Sequence, residues 1–445
     1  MYHSIDRLTT PLFPELFPFG GSLNADNDWV KLAGLVPWGE LEGVYRWYFC
    51  PDRGRPAKEC QLICGLLIAK HRESLSDRRV VKLLSENPYM QFFCGFDQFV
   101  TGGKIIHPSL LSKMRRRLGR EFFALFEGEV FRVLMEHGLI RAKEQLVDAT
   151  VVPGNISYPT DCKLLNEARE WLCRTILRVK RRVGITEQVR TYRRVGKWAY
   201  MAFTKRRKKT KRYIRKVQGQ MLRFVRRNLK QIEELLERVP DEMAAFGEKV
   251  AEKVAVIRCL YGQQKEMWEK GVKRVENRIV SIHRPRIRPM VRGKDGKDVE
   301  FGPKVQLSVV DGYGFLDHFS FDSFNESGYL PDSVEQYEER FGRKPKVVIA
   351  DKIFGTRENR RYLEDEGIAA AFKPLGRPRG QPDKKNKAWM KRQQKKRNSI
   401  EGLIGTGKTR YGLERILYSI PDGEEIWVRM GLMGMNLNRA MVKMT

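Results

Sequence analysis

The sequence predicts an α/β protein in which a mixed sheet carries a large all-helical insertion and follows an all-α segment, and three observations predict it. Two short runs of branched apolar residues, 145–153 (QLVDATVVP) and 346–355 (KVVIADKIFG), read as buried strands. Residues 299–310 and 315–321 alternate in hydropathy and are joined by Asp311-Gly312-Tyr313-Gly314, a strong hairpin signal. The roughly 130 residues between the first strand and that hairpin are helical by pattern, far longer than an ordinary connection, and so read as an insertion. A chain of 445 residues has room for two or three such domains.

In chain order, residues 1–55 are rich in proline, glycine and aromatics and read as an extended arm with one short helix at 28–35. A helical pattern begins at Pro56, where the missing N–H would have had no partner, and 57–70 is apolar at helical spacing. Ser76 caps a second helix running to Leu84, Pro108 opens a third that Gly119 ends, and a fourth covers 121–137 before Gly138. Residues 56–140 are therefore expected to form a helical domain for DNA binding or dimerisation. Its SLSD link at 74–77 and the triplet Arg115, Arg116 and Arg117 fit a helix-turn-helix-like DNA reader, and equally a helical bundle with ordinary solvated charges.

A second domain is expected over 145–445, interrupted at about 160–290. Thr160 caps a helix to Arg182, Gly184 and Gly196 interrupt the helical pattern, and two long helices are expected near 211–238 and 241–276. After the hairpin come a helix at 332–341, the 346–355 strand, a helix at 357–366 and a short strand at 368–373. The following 376–397 segment has too little apolar surface to fold alone and is expected to be mobile without DNA.

The formal net charge is +31, and its distribution says more than its size. Residues 174–230 hold 22 Lys or Arg against one acid, and 377–397 hold 10 against one, so the rest of the chain is nearly neutral. Charge gathered into two segments is the footprint of a polyanion partner, most simply nucleic acid. Seven cysteines without paired CxxC spacing suit a reducing cytoplasm. With no signal-peptide pattern and no apolar run beyond about nine residues, an intracellular, non-membrane protein is expected.

Three acids carry the candidate chemistry: Asp148 in the first strand, Asp351 at the end of the second, and Glu401 in a helical stretch from Arg397. Three carboxylates converging at a sheet edge offer hard oxygen ligands for Mg²⁺ or Mn²⁺. Two such ions, roughly 3.5 to 4 Å apart, suit phosphodiester chemistry. Arg397, Glu401 and Lys408 stand at i, i+4 and i+11 on one helix face, where the two cations can hold phosphates or simply form a surface ion pair. The string GTGKT lacks the earlier glycine and preceding strand of a phosphate-binding loop, which excludes a nucleotide site.

Taken together, the motifs LVDATVV with NISYPTD, VVIADKIFG, and Arg397, Glu401 and Lys408 at their spacing resemble those of bacterial insertion-sequence transposases of the DDE type, in the insertion sequence five group and its relatives. The resemblance covers most of the chain from about Pro56, including RPAKECQLICGLLIAKHRESLSDRRVVKLLSENPYMQFFCGF. It departs from the family signature at Gln394, where a tyrosine is expected. The resemblance implies a ribonuclease-H-like catalytic core with Asp148, Asp351 and Glu401 as catalytic metal ligands. It further implies binding to terminal inverted repeats, hydrolysis at the element's end, transesterification into target DNA, no ATP, and a homodimer on DNA in a bacterial cytoplasm. Two competing readings are a hydrolysis-only nuclease and a DNA-binding protein that has lost catalysis.

Other residues carry weaker signals. Lys205, Arg206, Arg207, Lys208 and Lys209 join Arg115, Arg116, Arg397 and Lys408 as DNA-binding candidates. Asp311 and Asp332 are alternatives to the second acid, with a turn and a helix cap as their plainer roles. Asp161 is a candidate site liner or cap, and His318 a candidate neighbour of the metal site or an ordinary strand residue. Tyr192, Trp198, Tyr200, Phe203, Tyr213 and Phe224 interleave with cations and fit either core packing or stacking on exposed bases.

Overall fold

A computed structural model describes residues 23–100, 105–291, 299–376 and 384–444. The chain divides into two compact units, Met1–Gly154 with Pro303–Thr445, and Asn155–Gly302.

The first unit begins with α1 (Asp28–Leu35), α2 (Trp38–Arg46), α3 (Cys60–Arg72), α4 (Asp77–Glu86), α5 (Pro88–Phe93) and α6 (Ser109–Glu136), followed by strand β1 (Glu144–Val151). The helix α1 lies where the sequence places it, and Asn27 caps it by accepting from the Trp29 N–H. The expected extended arm is corrected over residues 38–46, because Leu41 and Tyr45 bury one face of α2. Ser76 caps α4 as its sequence predicts, accepting from the Arg79 N–H at 3.2 Å. Within α6 the two helices expected on either side of Gly119 are present, separated by a break in helical geometry at that glycine (φ 68°, ψ 176°). A left-handed φ of this kind carries little steric cost only without a Cβ.

The second unit holds α7 (Asp161–Val183), α8 (Arg193–Lys205), α9 (Lys211–Leu236) and α10 (Ala244–Lys270), then the paired strands β2 (Pro289–Val291) and β3 (Val299–Phe301). Apolar faces of the four helices share one core that includes Leu172, Val225, Ile232 and Ile257. Gly184 ends α7 in a left-handed conformation. Gly196 does not interrupt the helical pattern: it lies buried inside α8, and an added Cβ would stand 2.7 Å from the Arg169 side chain.

The first unit resumes with β4 (Lys304–Val310), β5 (Tyr313–Ser320), α11 (Leu330–Phe341), β6 (Val347–Ala350), α12 (Arg357–Asp365), β7 (Ala369–Ala371), α13 (Lys384–Lys396), α14 (Asn398–Arg410) and α15 (Gly423–Met444). The run expected as one strand at 299–310 is two, β3 and β4, separated at Gly302 and Pro303, where proline removes a ladder donor. Asp311 and Gly312 turn β4 into β5 with φ of 52° and 86°, the two left-handed positions of a tight hairpin. The five-stranded sheet has the order β5-β4-β1-β6-β7, antiparallel on the β5-β4-β1 side and parallel from β1 through β6 to β7.

The C-terminal α15 is the hub of this unit, packing against α3, α6 and β5. Its close approaches are made at glycines, since a Cβ on Gly431 would stand 2.6 Å from Leu413 and 3.0 Å from the Tyr411 carbonyl oxygen. From the same helix, buried Asn436 accepts from the Gly314 N–H and donates to its carbonyl, at 2.9 and 2.8 Å. All seven cysteines are free, and no helix among the described residues is long and apolar enough to cross a membrane.

Candidate nucleic-acid processing site

Strand pairing brings Asp148 and Asp351 to neighbouring positions. In the parallel β1–β6 pair Leu146 faces Ile349 and Val147 faces Ala350, so the next residues of the two strands are the two acids. Adjacent strands lie about 4.8 Å apart. Leu146 and Ile349 share an apolar cluster with Ile400 of α14. Side chains alternate along a strand, so Asp148 and Asp351, each two residues further on, lie on the face that α14 covers. That helix carries Glu401 in its first turn.

Asp148 is half-buried in β1, and burial pushes its carboxyl above the usual range. The Ala149 N–H, donating to Oδ1 at 2.9 Å, works the other way, Glu326 and Asp351 raise the value further, and Arg397 opposes them. Asp351 caps the 3₁₀ turn Lys352–Phe354 by accepting from the Lys352 N–H at 2.6 Å. The Arg397 guanidinium bridges two of the acids, with Nη1 3.2 Å from Asp351 Oδ1 and Nη2 2.6 Å from Glu401 Oε1. Lys408 reaches the Thr150 hydroxyl at 3.3 Å, two residues along β1 from Asp148.

The donor set suits a hard divalent cation, because it consists of carboxylate oxygens. The guanidinium between Asp351 and Glu401 shows that the gap accepts positive charge. Among the described residues, however, no three acidic, histidine or cysteine side chains stand together as a ready-made metal site. Asp148 and Asp351 are neighbours, while Glu401, largely exposed, is held from the far side of Arg397.

Two residues near these acids carried no positive signal in the sequence. Glu326, in the short 3₁₀ turn Glu326–Tyr329, is felt electrostatically by Asp148 and pairs with Lys304 at 2.9 Å. Its position depends on chain folding across the β5–α11 connection, which no local pattern reveals. Gln394, noted only as a departure from the signature, donates its side-chain amide to the carbonyls of Ala371 at 2.6 Å and Ala350 at 3.4 Å.

The expectation for 376–397 is corrected over 384–396, which form α13. Trp389 and Met390 pack against the sheet's apolar cluster, and Lys396 pairs with Glu144 at 2.6 Å. Residues 377–383 of that stretch lie outside the described residues.

Arg115 is corrected as a DNA-contact candidate. It is 3 % exposed, pairs through Nη2 with Asp77 at 2.5 Å, and stacks its guanidinium over the Tyr418 ring at 3.9 Å. Arg116 is exposed, as are Lys205, Arg206, Arg207, Lys208 and Lys209 at the end of α8 and the link to α9. Among the interleaved aromatics Phe203 and Phe224 are core residues, Tyr200 and Tyr213 are partly buried against them, and Tyr192 lies under the Arg227 guanidinium. Trp198 alone stands fully out, at 70 % exposure.

The remaining candidates are placed as follows. Asp311 accepts from the N–H groups of Arg141 and Ala142 at 2.6 and 2.9 Å, and Asp332 lies in the first turn of α11. Asp161, at the start of α7, pairs with Arg278 at 2.6 Å and accepts from Gln218 at 3.0 Å. His318 stacks on Tyr329 with ring centres 3.8 Å apart. The GTGKT string runs within α14, where Thr409 donates to the Gly405 carbonyl at 3.0 Å.

Residues 18–117 match the family described as a transposase domain (DUF772), and residues 348–437 match a transposase DDE domain. The second match spans Asp351, Gln394, Arg397, Glu401 and Lys408 but begins after Asp148. An uncharacterized protein, ORF8 in the nfe locus of Rhizobium meliloti, is 36 % identical over 148 residues, covering 33 % of this chain and 70 % of that protein. No solved structure matches the chain.

Proposed function

Because the chain belongs to the insertion-sequence transposases of the DDE type, we propose that it binds the inverted repeats at the ends of an insertion sequence, hydrolyses a strand there, and joins the freed 3′-hydroxyl to target DNA. The observation that carries this reading is the meeting of Asp148, inside β1, with Asp351, just past the end of β6, beneath the helix bearing Glu401. The sheet order supports a ribonuclease-H-like core. Numbered within the sheet it is 3-2-1-4-5, antiparallel on one side of the first strand and parallel on the other. In this reading the core extends over 145–445, the helical segment 56–140 contacts DNA or a second subunit, and the insertion at about 160–290 supplies phosphate-binding charge.

Asp148, Asp351 and Glu401 would hold two Mg²⁺ or Mn²⁺ ions. What the ions supply when bound is activation of the attacking oxygen and neutralisation of charge on the phosphodiester. The protein's own part is positioning: β1 and the end of β6 fix two carboxylates, and α14 brings Glu401, Arg397 and Lys408 to the same face. Arg397 and Lys408 then bracket the scissile phosphate, while Arg116 and the 205–209 cations contribute further backbone phosphate contacts. Because two DNA ends must be paired, the working form is a homodimer on DNA.

The test is Mg²⁺-dependent cleavage of a DNA fragment carrying the flanking inverted repeat, followed by transfer of a pre-cut end into plasmid DNA. Wild type should do both, while Asp148→Asn, Asp351→Asn and Glu401→Gln should each bind the repeat and cleave at least a thousandfold more slowly. Cleavage without joining would favour a hydrolysis-only nuclease. Specific binding without cleavage by wild type would favour a DNA-binding protein that has lost catalysis.

A further inference from the structure

Helix α13 is an unusual neighbour for a sheet. Of its 13 residues, KKNKAWMKRQQKK, seven are Lys or Arg, and only Trp389 and Met390 join the adjacent apolar cluster. What fastens it is polar: the Lys396–Glu144 pair and the side-chain amide of Gln394. Gln394 Nε2 carries two hydrogens and meets two carbonyls, those of Ala371 and Ala350, which are the last residues of β7 and β6. The Ala350 carbonyl belongs to the peptide unit that leads into Asp351.

The placement along the helices matters as much as the bonds. Residues 394, 397, 401 and 408 fall at i, i+3, i+7 and i+14, and Arg397 keeps helical dihedrals (φ −55°, ψ −31°) where α13 passes into α14. Gln394, Arg397, Glu401 and Lys408 therefore form one stripe. Its first member is anchored to backbone and its second to Asp351.

We infer that Gln394 is a positioning residue that ties the α13–α14 joint to the ends of β6 and β7 and so sets the separation between Asp351 and Glu401 at which a divalent cation binds. This rests on the reading of those acids as the metal site. It assigns Gln394 a role directed at protein backbone rather than at DNA, which accounts for an amide in place of an aromatic ring at this position.

The full-length protein should be compared as wild type, Gln394→Met, which keeps length and removes both donors, and Gln394→Lys, which restores an N–H donor. Mn²⁺ binding followed by electron paramagnetic resonance should weaken about tenfold in Gln394→Met and recover in Gln394→Lys. Repeat binding measured in EDTA should be the same for all three. The Mg²⁺ concentration for half-maximal cleavage should rise in parallel in Gln394→Met. Unchanged Mn²⁺ affinity in Gln394→Met overturns the inference, and so does a Lys variant as weak as the Met one, even where Gln394→Met proves unstable. Weaker repeat binding with unaltered Mn²⁺ affinity overturns it in favour of a DNA contact. Failure of the underlying reading looks different: wild type itself would neither bind Mn²⁺ at these acids nor cleave.

Discussion

Between Asn155 and Gly302 the chain carries 39 Lys and Arg against 17 Asp and Glu, whereas the remaining two-thirds carries 46 against 37. The two units also hold their cations differently. In the first unit arginines are locked onto partly or fully buried acids: Arg115 on Asp77, Arg340 on Asp317, Arg429 on Glu127. In the second some also pair with acids, as Arg278 does with Asp161, but others lie over rings, as with Arg206 on Tyr213, Arg215 on Trp268 and Arg227 on Tyr192, or stand in solvent. A guanidinium on a carboxylate is committed to the fold, whereas one lying over a ring keeps its charge for a phosphate. Arg397 belongs to the first pattern by geometry; under the proposed function its acids hold metal instead, which frees its charge for a phosphate.

The strongest way to break this contrast is to remove one arginine from each unit. Asp317 is buried, accepts from Ser308 at 3.0 Å and from Arg340 at 2.6 Å, and burial still pushes its carboxyl upward despite that partner. Arg340→Met should cost about 3–5 kcal/mol of unfolding free energy, read by denaturant melts, because it leaves a buried acid unpaired. Arg207→Met, exposed in the second unit, should change stability by no more than about 0.5 kcal/mol. Equal losses would erase the distinction.

Acid sharpens it next. Burial, reinforced by the neighbouring Lys70 charge, pushes His71 down to about 3. Its folded value lies below its unfolded one, so its stabilising contribution is complete above the ordinary histidine range and is lost as pH falls from about 6.5 towards 3. Wild type should therefore lose on the order of 3 kcal/mol more than His71→Gln across that window in pH-dependent melts. His283 of the second unit is lowered too, chiefly by partial burial, and His283→Gln should show a smaller effect of the same sign. A flat difference for His71 would mean that water reaches it.

For DNA the expected sensitivities reverse. Exchanging Lys205, Arg206, Arg207, Lys208 and Lys209 for glutamate should leave melting unchanged, lower DNA affinity at least tenfold at low salt, and reduce the salt slope by about 0.9 for each phosphate no longer neutralised. Arg115→Met should unfold the first unit's helices before any DNA effect can be read. An unchanged salt slope in the first variant would remove this segment from the DNA path.

These contrasts also explain what the sequence could convey. Strand runs around Asp148 and Asp351, the Asp311-Gly312 turn and the Ser76 cap are local signals, and each lies where its residues predict. The hub helix α15 left no such mark. It is enclosed by α3, α6 and β5, so its apolar residues surround the helix rather than forming a stripe. Helix α13 reads as too charged to fold because its fastening is polar and its acceptors are backbone carbonyls at Ala350 and Ala371. Arg115 looks like an exposed member of a basic triplet because Tyr418, which covers it, comes from about 300 residues away. Among the acids, Asp148 and Asp351 were legible as residues of two strand-like runs, while the adjacency of those strands and the bridging of Asp351 and Glu401 by Arg397 required the tertiary structure.

The finest comparison concerns packing tolerance, through two helical glycines. A Cβ at Gly219 of α9 would stand 2.9 Å from the Trp268 ring, a side chain rather than backbone. A Cβ at Gly431 of α15 would meet Leu413 at 2.6 Å and the Tyr411 backbone oxygen at 3.0 Å, and the backbone cannot yield without moving the segment behind it. Alanine is favoured by roughly 1 kcal/mol over glycine inside a helix, so the two clashes are offset by the same amount. Gly219→Ala should come out within about 0.5 kcal/mol of wild type, and Gly431→Ala should lose about 1–3 kcal/mol from overpacking. Paired denaturant melts decide it. A neutral Gly431→Ala would show that the hub around α15 yields as readily as the basic unit, and that the first unit's rigidity resides in its ion pairs rather than in its packing.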